Sequence, residues 1–306
     1  MIARRTFLGT AAAAALSAGA PGWASATPSA QPATRPIPSS GERIPCVGLG
    51  SWITFNVGND PVLLDECAGV IKAFAAGGGR MIDSSPMYGS SQATIGHGLA
   101  ALDNPGAIFA TDKVWTSDTG GGREQIEASR QAWRIPAFDL LQVHNLVAWE
   151  AHLATLFDMK AQGQLKYVGI TTSHGRRHED LEQIMRSQPL DFVQLTYNVL
   201  DREAEDRLLP LAQDRGIAVI VNRPYQRGRL VEQMARHPLP GWAGSEAGAE
   251  SWAQLLLKFI ISHPAVTCAI PATTRVDHVR ENLAAGSGEP LEPRVRQKLI
   301  DHVQSL

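Results

Sequence analysis

Four polar residues of this sequence have the chemistry of a proton-transfer site: an aspartate, a tyrosine, a lysine and a histidine. Asp83 and Tyr88 lie in RMIDSSPMYG at residues 80–89, Lys113 ends IFATDK, and His144 ends LLQVH. Asp83, Lys113 and His144 each follow a short apolar run of the kind that forms a buried strand. An ammonium group close to a phenol favours the phenolate, so the pair can hold or release a proton. We expect the four side chains to meet at one point.

The sequence around these residues alternates short apolar runs with amphipathic segments from Arg43 onward. Short apolar runs predict buried strands, and apolar residues spaced three or four apart predict helices. We predict strands at residues 47–49, 80–83, 108–113, 139–143, 167–170, 192–195, 217–221 and 267–270. We predict helices at residues 63–76, 94–102, 122–133, 149–162, 179–187, 202–214, 251–262 and 276–285. The pattern is therefore eight strand–helix repeats in one array.

Eight such repeats favour a closed (β/α)8 TIM barrel, a single α/β domain, over a doubly wound sheet. A doubly wound dinucleotide-binding sheet is expected to have G-x-G-x-x-G after its first strand, and that motif is absent there. The glycines at 77–79 precede a strand and so mark the end of a helix. Active sites of TIM barrels form at the carboxyl ends of the strands, which is where the aspartate, lysine and histidine fall. The long connection 222–250 is expected to cover a ligand on that face or to be inert.

Composition describes an ordinary globular protein and argues against several partner classes. The 306 residues carry a formal net charge of −2, which gives no reason to expect nucleic acid or an anionic membrane as a partner. Three cysteines are too few for a disulfide framework, and their spacing predicts no metal site. Cys46 and Cys268 are assigned to the first and the last strand, which are neighbours in a closed barrel. Two buried thiols are the favoured arrangement, and a disulfide is the alternative.

The first 26 residues have the features of a twin-arginine signal peptide. Arg4 and Arg5 precede an alanine-rich apolar run, and the ASA sequence at residues 24–26 suits a signal peptidase. The run is too short for a permanent membrane anchor. Residues 27–42 begin with a stretch rich in Pro, Ser, Ala and Thr and are predicted as a linker, with the barrel at residues 43–306. We expect a periplasmic or secreted protein that is exported folded.

The four polar residues fit carbonyl chemistry better than hydrolysis. A tyrosine with its ordinary pKa of about 10 is a weak acid, and we expect Lys113 to lower the pKa of Tyr88. Asp83 would hold Lys113 charged, and His144 would orient a carbonyl oxygen or relay a proton. This predicts protonation of a carbonyl oxygen while a hydride reaches its carbon. Nucleophilic hydrolysis is disfavoured because the sequence has no G-x-S-x-G elbow.

Several segments have the order and spacing of one enzyme family. They are VGLGSW at 47–52, GRMIDSSPMYG at 79–89, LLQVH at 140–144, YVGITT at 167–172, FVQLTYN at 192–198 and IPATTR at 270–275. On these segments, residues 43–285 resemble the aldo-keto reductase family. The resemblance implies a (β/α)8 barrel and NADPH-dependent reduction of aldehydes or ketones. It implies Tyr88 as the acid/base, Lys113 and Asp83 as its tuning pair, and His144 as the residue that orients the carbonyl.

The same resemblance implies a nicotinamide cofactor site, with NADP favoured and NAD as the alternative. Its expected residues are Ser51, Trp52, Thr171, Thr172, Gln194, Asn222, Arg223, Pro224, Tyr225, Arg229, Pro271, Thr273, Thr274, Arg275, His278, Glu281 and Asn282. Thr171 and Thr172 stand where the family often has Ser-Asn for the carboxamide, and two further positions depart from the family pattern. Asn222 stands where an aromatic ring commonly stacks on the nicotinamide, and Ala272 replaces a lysine often used for the 2′-phosphate.

Two other functions stay open from the sequence. A catalytically idle nucleotide-binding barrel would act as a sensor or partner-binding protein, and Asn222 and Ala272 leave room for it. A lyase or isomerase would use Tyr88 as an acid without a redox step. The complete set of four polar residues favours the reductase, with a small-molecule carbonyl compound as its partner. The expected substrate pocket residues are Trp52, Trp115, Asn145 and the 226–250 loop.

Overall fold

The structure, a computed structural model, describes residues 32–306, so the signal peptide predicted at residues 1–26 lies outside the described residues. The strands are β1 (Thr34–Pro36), β2 (Arg43–Pro45), β3 (Leu49–Gly50), β4 (Met81–Asp83), β5 (Phe109–Val114), β6 (Leu140–His144), β7 (Tyr167–Thr171), β8 (Phe192–Thr196), β9 (Ala218–Asn222) and β10 (Val266–Ala269). The α-helices are α1 (Pro61–Ala76), α2 (Ser91–Leu99), α3 (Gly122–Trp133), α4 (Trp149–Ala161), α5 (His178–Ser187), α6 (Leu208–Arg215), α7 (Arg229–Met234), α8 (Ala243–Ala247), α9 (Trp252–Ile261), α10 (Val276–Ala285) and α11 (Pro293–Gln304). None of these helices has the length and hydropathy of a membrane span.

Strands β3 to β10 form a parallel sheet in chain order, and its two edges meet. Val47 pairs with Ala269 and Gly50 with Ala272 in parallel bridges that close the barrel. A glycine is required at this seam, because a Cβ on Gly50 would lie 2.7 Å from the Ile270 carbonyl oxygen. The predicted (β/α)8 TIM barrel is confirmed.

The apolar residues of the strands form two layers. Residues that point into the barrel form an inner cluster, which includes Met81, Phe109, Leu140, Tyr167 and Phe192. The remaining strand residues pack outward against the helices in a larger cluster. Both faces of each strand are covered by other apolar residues. The strands therefore appear in the sequence as continuous apolar runs, which is the pattern used to predict them.

A short hairpin closes the amino-terminal end of the barrel. Strands β1 and β2 pair antiparallel, and Ile37 and Ile44 enter the inner cluster with no exposed surface. The hydroxyl of Tyr167 donates to Glu42 at 2.9 Å, which ties the hairpin to the barrel. Residues 34–42 of the predicted linker are therefore part of this hairpin, because the backbone of β1 pairs with β2 and Ile37 is buried, and residues 27–31 lie outside the described residues.

Other differences from the prediction lie both within the strand–helix array and outside it. Helices α3 and α10 have the predicted bounds, whereas the segment 202–214 is a 3₁₀ turn followed by α6. The predicted loop 222–250 contains α7 and α8, and the terminal α11 was not predicted. Within the described chain all three cysteines are free and buried, so the two thiols expected at Cys46 and Cys268 are confirmed.

Candidate active site

A cavity of about 530 Å³ opens at the carboxyl ends of the barrel strands. Asp83, Tyr88 and His144 line it, each from the end of a strand or the loop that follows. Lys113 lies behind them on β5, buried beneath the cavity wall. The four residues predicted from the sequence therefore meet at one place, as parallel strand ends require.

Asp83 and Lys113 form a buried ion pair at the floor of the cavity. The Lys113 ammonium donates to Asp83 Oδ2 at 2.6 Å and to the Ser84 carbonyl at 2.7 Å. The other carboxylate oxygen accepts from Gln194 Nε2 at 3.0 Å and, more weakly, from Gln142 Nε2 at 3.4 Å. Burial alone would lower the pKa of Lys113, but the charge of Asp83 and its hydrogen bond to the ammonium act against burial, Tyr88 adds to this only when its phenol is ionised, and the pKa is raised. The lysine is consequently charged at neutral pH.

Tyr88 lies against this pair. The Lys113 ammonium is 5.3 Å from the centroid of the Tyr88 ring, and the His144 ring stands edge-on to it at 5.7 Å. Burial raises the pKa of Tyr88 to about 12, and the opposing charge of Lys113 offsets this only in part because Asp83 partly cancels it. The expected lowering of this pKa was therefore wrong. The phenol is protonated at neutral pH, which is the state that a general acid needs.

The conformation of the loop that carries Tyr88 depends on a glycine. Gly89 has a φ of +61°, and a Cβ at this position would lie 2.2 Å from Asn56 Oδ1. That amide oxygen accepts from the Ser90 backbone N–H at 2.9 Å, which joins the loop to the loop after β3. The YG pair in the sequence thus reflects a backbone conformation that other residues rarely adopt.

His144 is neutral and has a partner that the sequence analysis missed. Burial, together with the charge of Lys113, lowers the pKa of His144 to about 2. Its Nδ1 lies 2.7 Å from the hydroxyl oxygen of Ser85. Because the imidazole carries no charge, its role is to orient a hydrogen bond, and the alternative of a charged proton relay is disfavoured.

Most of the expected cofactor residues line the same cavity. Those that do are Ser51, Trp52, Thr171, Gln194, Asn222, Arg223, Pro224, Tyr225, Thr273, His278, Glu281 and Asn282. Thr172, Arg229, Pro271, Thr274 and Arg275 are not among its lining residues. Arg275 is exposed and paired with the carboxylate of Asp277, two residues along the chain. Within residues 32–306 no group of three His, Cys, Asp or Glu side chains forms a metal site.

Asn222 has a structural reason to replace an aromatic residue. Its Oδ1 accepts from the Thr196 hydroxyl at 2.7 Å, and its Nδ2 donates to the Thr172 carbonyl at 2.8 Å. Thr172 follows β7, Thr196 ends β8 and Asn222 ends β9, so one amide joins three adjacent strands. Both ends of the side chain are occupied.

Two arginines face the cavity from the loop after β9. Arg223 has a φ of +52°, and two of its guanidinium nitrogens, Nε and Nη1, are buried without a hydrogen-bond partner among the described residues. Buried donors without acceptors are costly, and an anionic ligand in the cavity would satisfy them. Arg227, which the sequence analysis did not select, stacks 4.0 Å above the ring of Trp52. The donor set fits the phosphates of a nicotinamide dinucleotide.

The expected substrate pocket is only partly formed by the predicted residues. Asn145 and Trp52 line the cavity, whereas Trp115 lies outside it and is partly exposed. From the 226–250 loop, the cavity is lined by Arg227, Gly228, Val231 and Glu232, and the remainder of that loop is not part of its wall.

Comparison with known proteins agrees with this geometry. A model of the aldo/keto reductase family matches residues 46–302. The chain belongs to the aldo/keto reductase family. Methylglyoxal reductase YeaE of Escherichia coli K12 is 27% identical over 248 residues, which cover 79% of this chain and 85% of that protein. The NADH-specific methylglyoxal reductase of the same organism is 24% identical over 299 residues, covering 78% and 89%.

The fold of this reductase-family chain also matches solved structures. An aldo/keto reductase from Klebsiella pneumoniae, solved in complex with NADP and acetate, superimposes with a TM-score of 0.73 at 20% identity. The match covers 86% of this chain and 92% of the other. At that identity the comparison concerns the fold, which is again the (β/α)8 barrel.

Proposed function

We propose that this protein reduces an aldehyde or ketone to an alcohol, or catalyses the reverse oxidation, with NADP(H) and with NAD(H) as the alternative cofactor. The observation that carries the proposal is the buried Asp83–Lys113 pair beneath a protonated Tyr88, with neutral His144 beside the phenol. In this arrangement the Tyr88 phenol can donate a proton to a carbonyl oxygen, which becomes basic as a hydride reaches the carbonyl carbon.

The side chains divide the proton chemistry among them. A nicotinamide cofactor, when bound, supplies the hydride to the carbonyl carbon. Tyr88 gives its phenolic proton to the carbonyl oxygen, and the Lys113 ammonium stabilises the phenolate that is left. Asp83 keeps Lys113 charged and in place. His144 hydrogen-bonds the carbonyl oxygen, and in the oxidation direction the proton returns from the alcohol to Tyr88.

The charged groups that line or flank the cavity bear on the choice between NADP and NAD. Arg223 offers unpartnered donors for phosphate, which suits both cofactors. At the β10 end, Ala272 lacks a cation and Arg275 is already paired with Asp277, which weakens any grip on a 2′-phosphate. The Klebsiella structure contains NADP, whereas one Escherichia coli relative is NADH-specific. A direct comparison of the two cofactors is therefore the first measurement to make.

Consumption of reduced cofactor with an aldehyde panel tests the proposed reaction. The panel includes methylglyoxal, because two relatives are reductases of this compound. We expect Tyr88→Phe to lower kcat by roughly 100- to 10,000-fold, the usual contribution of a general acid, with little change in nucleotide binding. Tyr167→Phe is the matched control, because this hydroxyl bonds Glu42 at the opposite end of the barrel. Unchanged turnover in Tyr88→Phe would refute the assigned acid.

We also propose that the protein is exported folded, as a periplasmic or secreted enzyme. The supporting feature is the twin-arginine pattern of residues 1–26. Nicotinamide cofactors are scarce outside the cytoplasm, and loading of the cofactor before export would reconcile this with the reaction. Exported protein that is free of nucleotide and unable to bind it would contradict this part of the proposal.

A further inference from the structure

We propose that Ser85 is a positioning residue that donates its hydroxyl hydrogen to His144 Nδ1 and thereby holds the ring proton on Nε2, facing the cavity. The inference rests on the proposed function for its catalytic consequence, but the position of the proton can be measured without any reaction. Ser85 lies two residues after Asp83 and three before Tyr88, in the same loop.

The geometry of the contact is well defined. Ser85 Oγ and His144 Nδ1 are 2.7 Å apart, the usual length of a good hydrogen bond. Ser85 has no exposed surface and His144 has 5%, so water does not compete for the contact. The hydroxyl oxygen also accepts from the Met87 backbone N–H at 3.2 Å, which fixes the serine side chain.

Hydrogen-bond accounting decides the direction of the bond. The only acceptor for the Ser85 hydroxyl hydrogen among the residues that the structure describes is His144 Nδ1. If Nδ1 carried the ring proton, the buried hydroxyl would have a hydrogen without an acceptor, and a buried unmet donor is expensive. His144 Nε2 is different, because the ring lines the cavity and that nitrogen can meet solvent or substrate. The arrangement with a proton on Nε2 satisfies every group, and the other arrangement does not.

The direction of the Ser85–His144 hydrogen bond determines whether His144 Nε2 donates a hydrogen bond to the substrate. A protonated Nε2 donates a hydrogen bond, so the carbonyl oxygen has two donors, the Tyr88 phenol and the His144 ring. A bare Nε2 would place a lone pair against the lone pairs of that oxygen. Because the ring is neutral, its tautomer alone decides between attraction and repulsion. Ser85 therefore acts on the substrate through His144.

Nitrogen NMR of the full chain with ¹⁵N-labelled histidine tests the tautomer directly. Comparison with His144→Gln identifies the His144 signals, and the nitrogen that carries the proton is separated from the bare one by its chemical shift. We expect Nε2–H in the wild type, a mixture of tautomers in Ser85→Ala, and recovery of Nε2–H in Ser85→Thr, which restores the hydroxyl. An Nδ1–H ring in the wild type, or no change in Ser85→Ala, would overturn the inference even if the protein reduces carbonyls.

Kinetics supply the second arm of the test. Loss of a buried hydrogen bond is worth roughly a five- to tenfold change, which we expect in kcat/KM for the carbonyl substrate, with unchanged nucleotide affinity and recovery in Ser85→Thr. Ser91→Ala is the matched control, because this serine is equally buried and bonds the Ser84 hydroxyl at 3.0 Å. A folded Ser85→Thr variant that behaves like Ser85→Ala, or an equal loss in Ser91→Ala, would contradict the proposed role. Absence of carbonyl reduction in the wild type counts against the proposed function, and the NMR result stands separately.

Discussion

The Asp83–Lys113 pair makes a quantitative prediction about stability. The two charged atoms are 2.6 Å apart and the side chains are only 3% and 0% exposed. At an effective dielectric constant of about 20, the gross attraction is about 6 kcal/mol, most of which offsets the cost of burying both charges. Asp83→Asn removes the attraction but leaves the lysine buried. We therefore expect the free energy of unfolding to fall by about 3–5 kcal/mol.

Urea unfolding followed by tryptophan fluorescence measures this change, with Asp158→Asn as the matched control. Asp158 is paired with Arg123, but the two side chains are 55% and 46% exposed. Exposed pairs contribute about 0–1 kcal/mol, so the control should lose no more than that. The two variants remove the same charge from the same residue type and differ mainly in burial.

The double variant Asp83→Leu/Lys113→Met distinguishes two causes of a loss of stability, which are an unpaired buried charge and disrupted packing of the core. Removing both charges leaves no unpaired ion, so we expect the double variant to lose less stability than the two single variants combined. An Asp83→Asn loss of under about 1 kcal/mol, equal to that of Asp158→Asn, would refute the reasoning, because it would mean that the pair is hydrated.

Three further predictions concern the pKa of His144, the Arg275–Asp277 pair and the predicted signal peptide. The folded-state pKa of His144, about 2, lies below its unfolded value, so unfolding takes up a proton as pH falls below about 6.5. Wild type should therefore lose about 2–3 kcal/mol more stability than His144→Gln between pH 6.5 and 4.5 in urea titrations, and parallel pH profiles would contradict this. Asp277→Ala should free Arg275 and raise NADPH affinity by roughly two- to fivefold with NADH affinity unchanged, as measured by fluorescence titration. Equal gains for both cofactors would exclude the 2′-phosphate as the cause. Replacing Arg4 and Arg5 by lysines should retain the protein in the cytoplasm on cell fractionation, whereas export of this variant would argue against the twin-arginine route.

The barrel could be predicted because its strands are buried on both faces and therefore appear as continuous apolar runs. The hairpin could not, because β1 consists of Thr34, Arg35 and Pro36, which are mostly exposed and are held by backbone pairing. Helix α11 had a usable signal in Val295, Leu299 and Val303, spaced four residues apart and buried. It was missed because the eight-repeat array was already complete without it.

In the candidate site, too, the sequence pattern predicted the positions of residues but not the properties that depend on tertiary packing. The positions of Asp83, Lys113 and His144 followed from strand ends alone. The pKa of Tyr88 did not follow, because its direction depends on how deeply the ring is buried, and no local sequence pattern measures that. Arg227 was missed for a related reason: its contact with Trp52 joins the loops after β9 and β3, which are far apart in sequence.

The hairpin at the amino-terminal end of the barrel determines how the molecule can be held. The Ala33 backbone N–H donates to Gly286 O and the Arg35 guanidinium to Ile261 O at 2.7 Å, so the chain enters the described region beside the start of β10. The cavity opens at the other end of the same strands. A group joined to the chain ahead of Pro32 is therefore attached at the end of the barrel opposite the cavity. An affinity tag or a solid support joined there would be attached at that end, and so away from the residues that line the cavity.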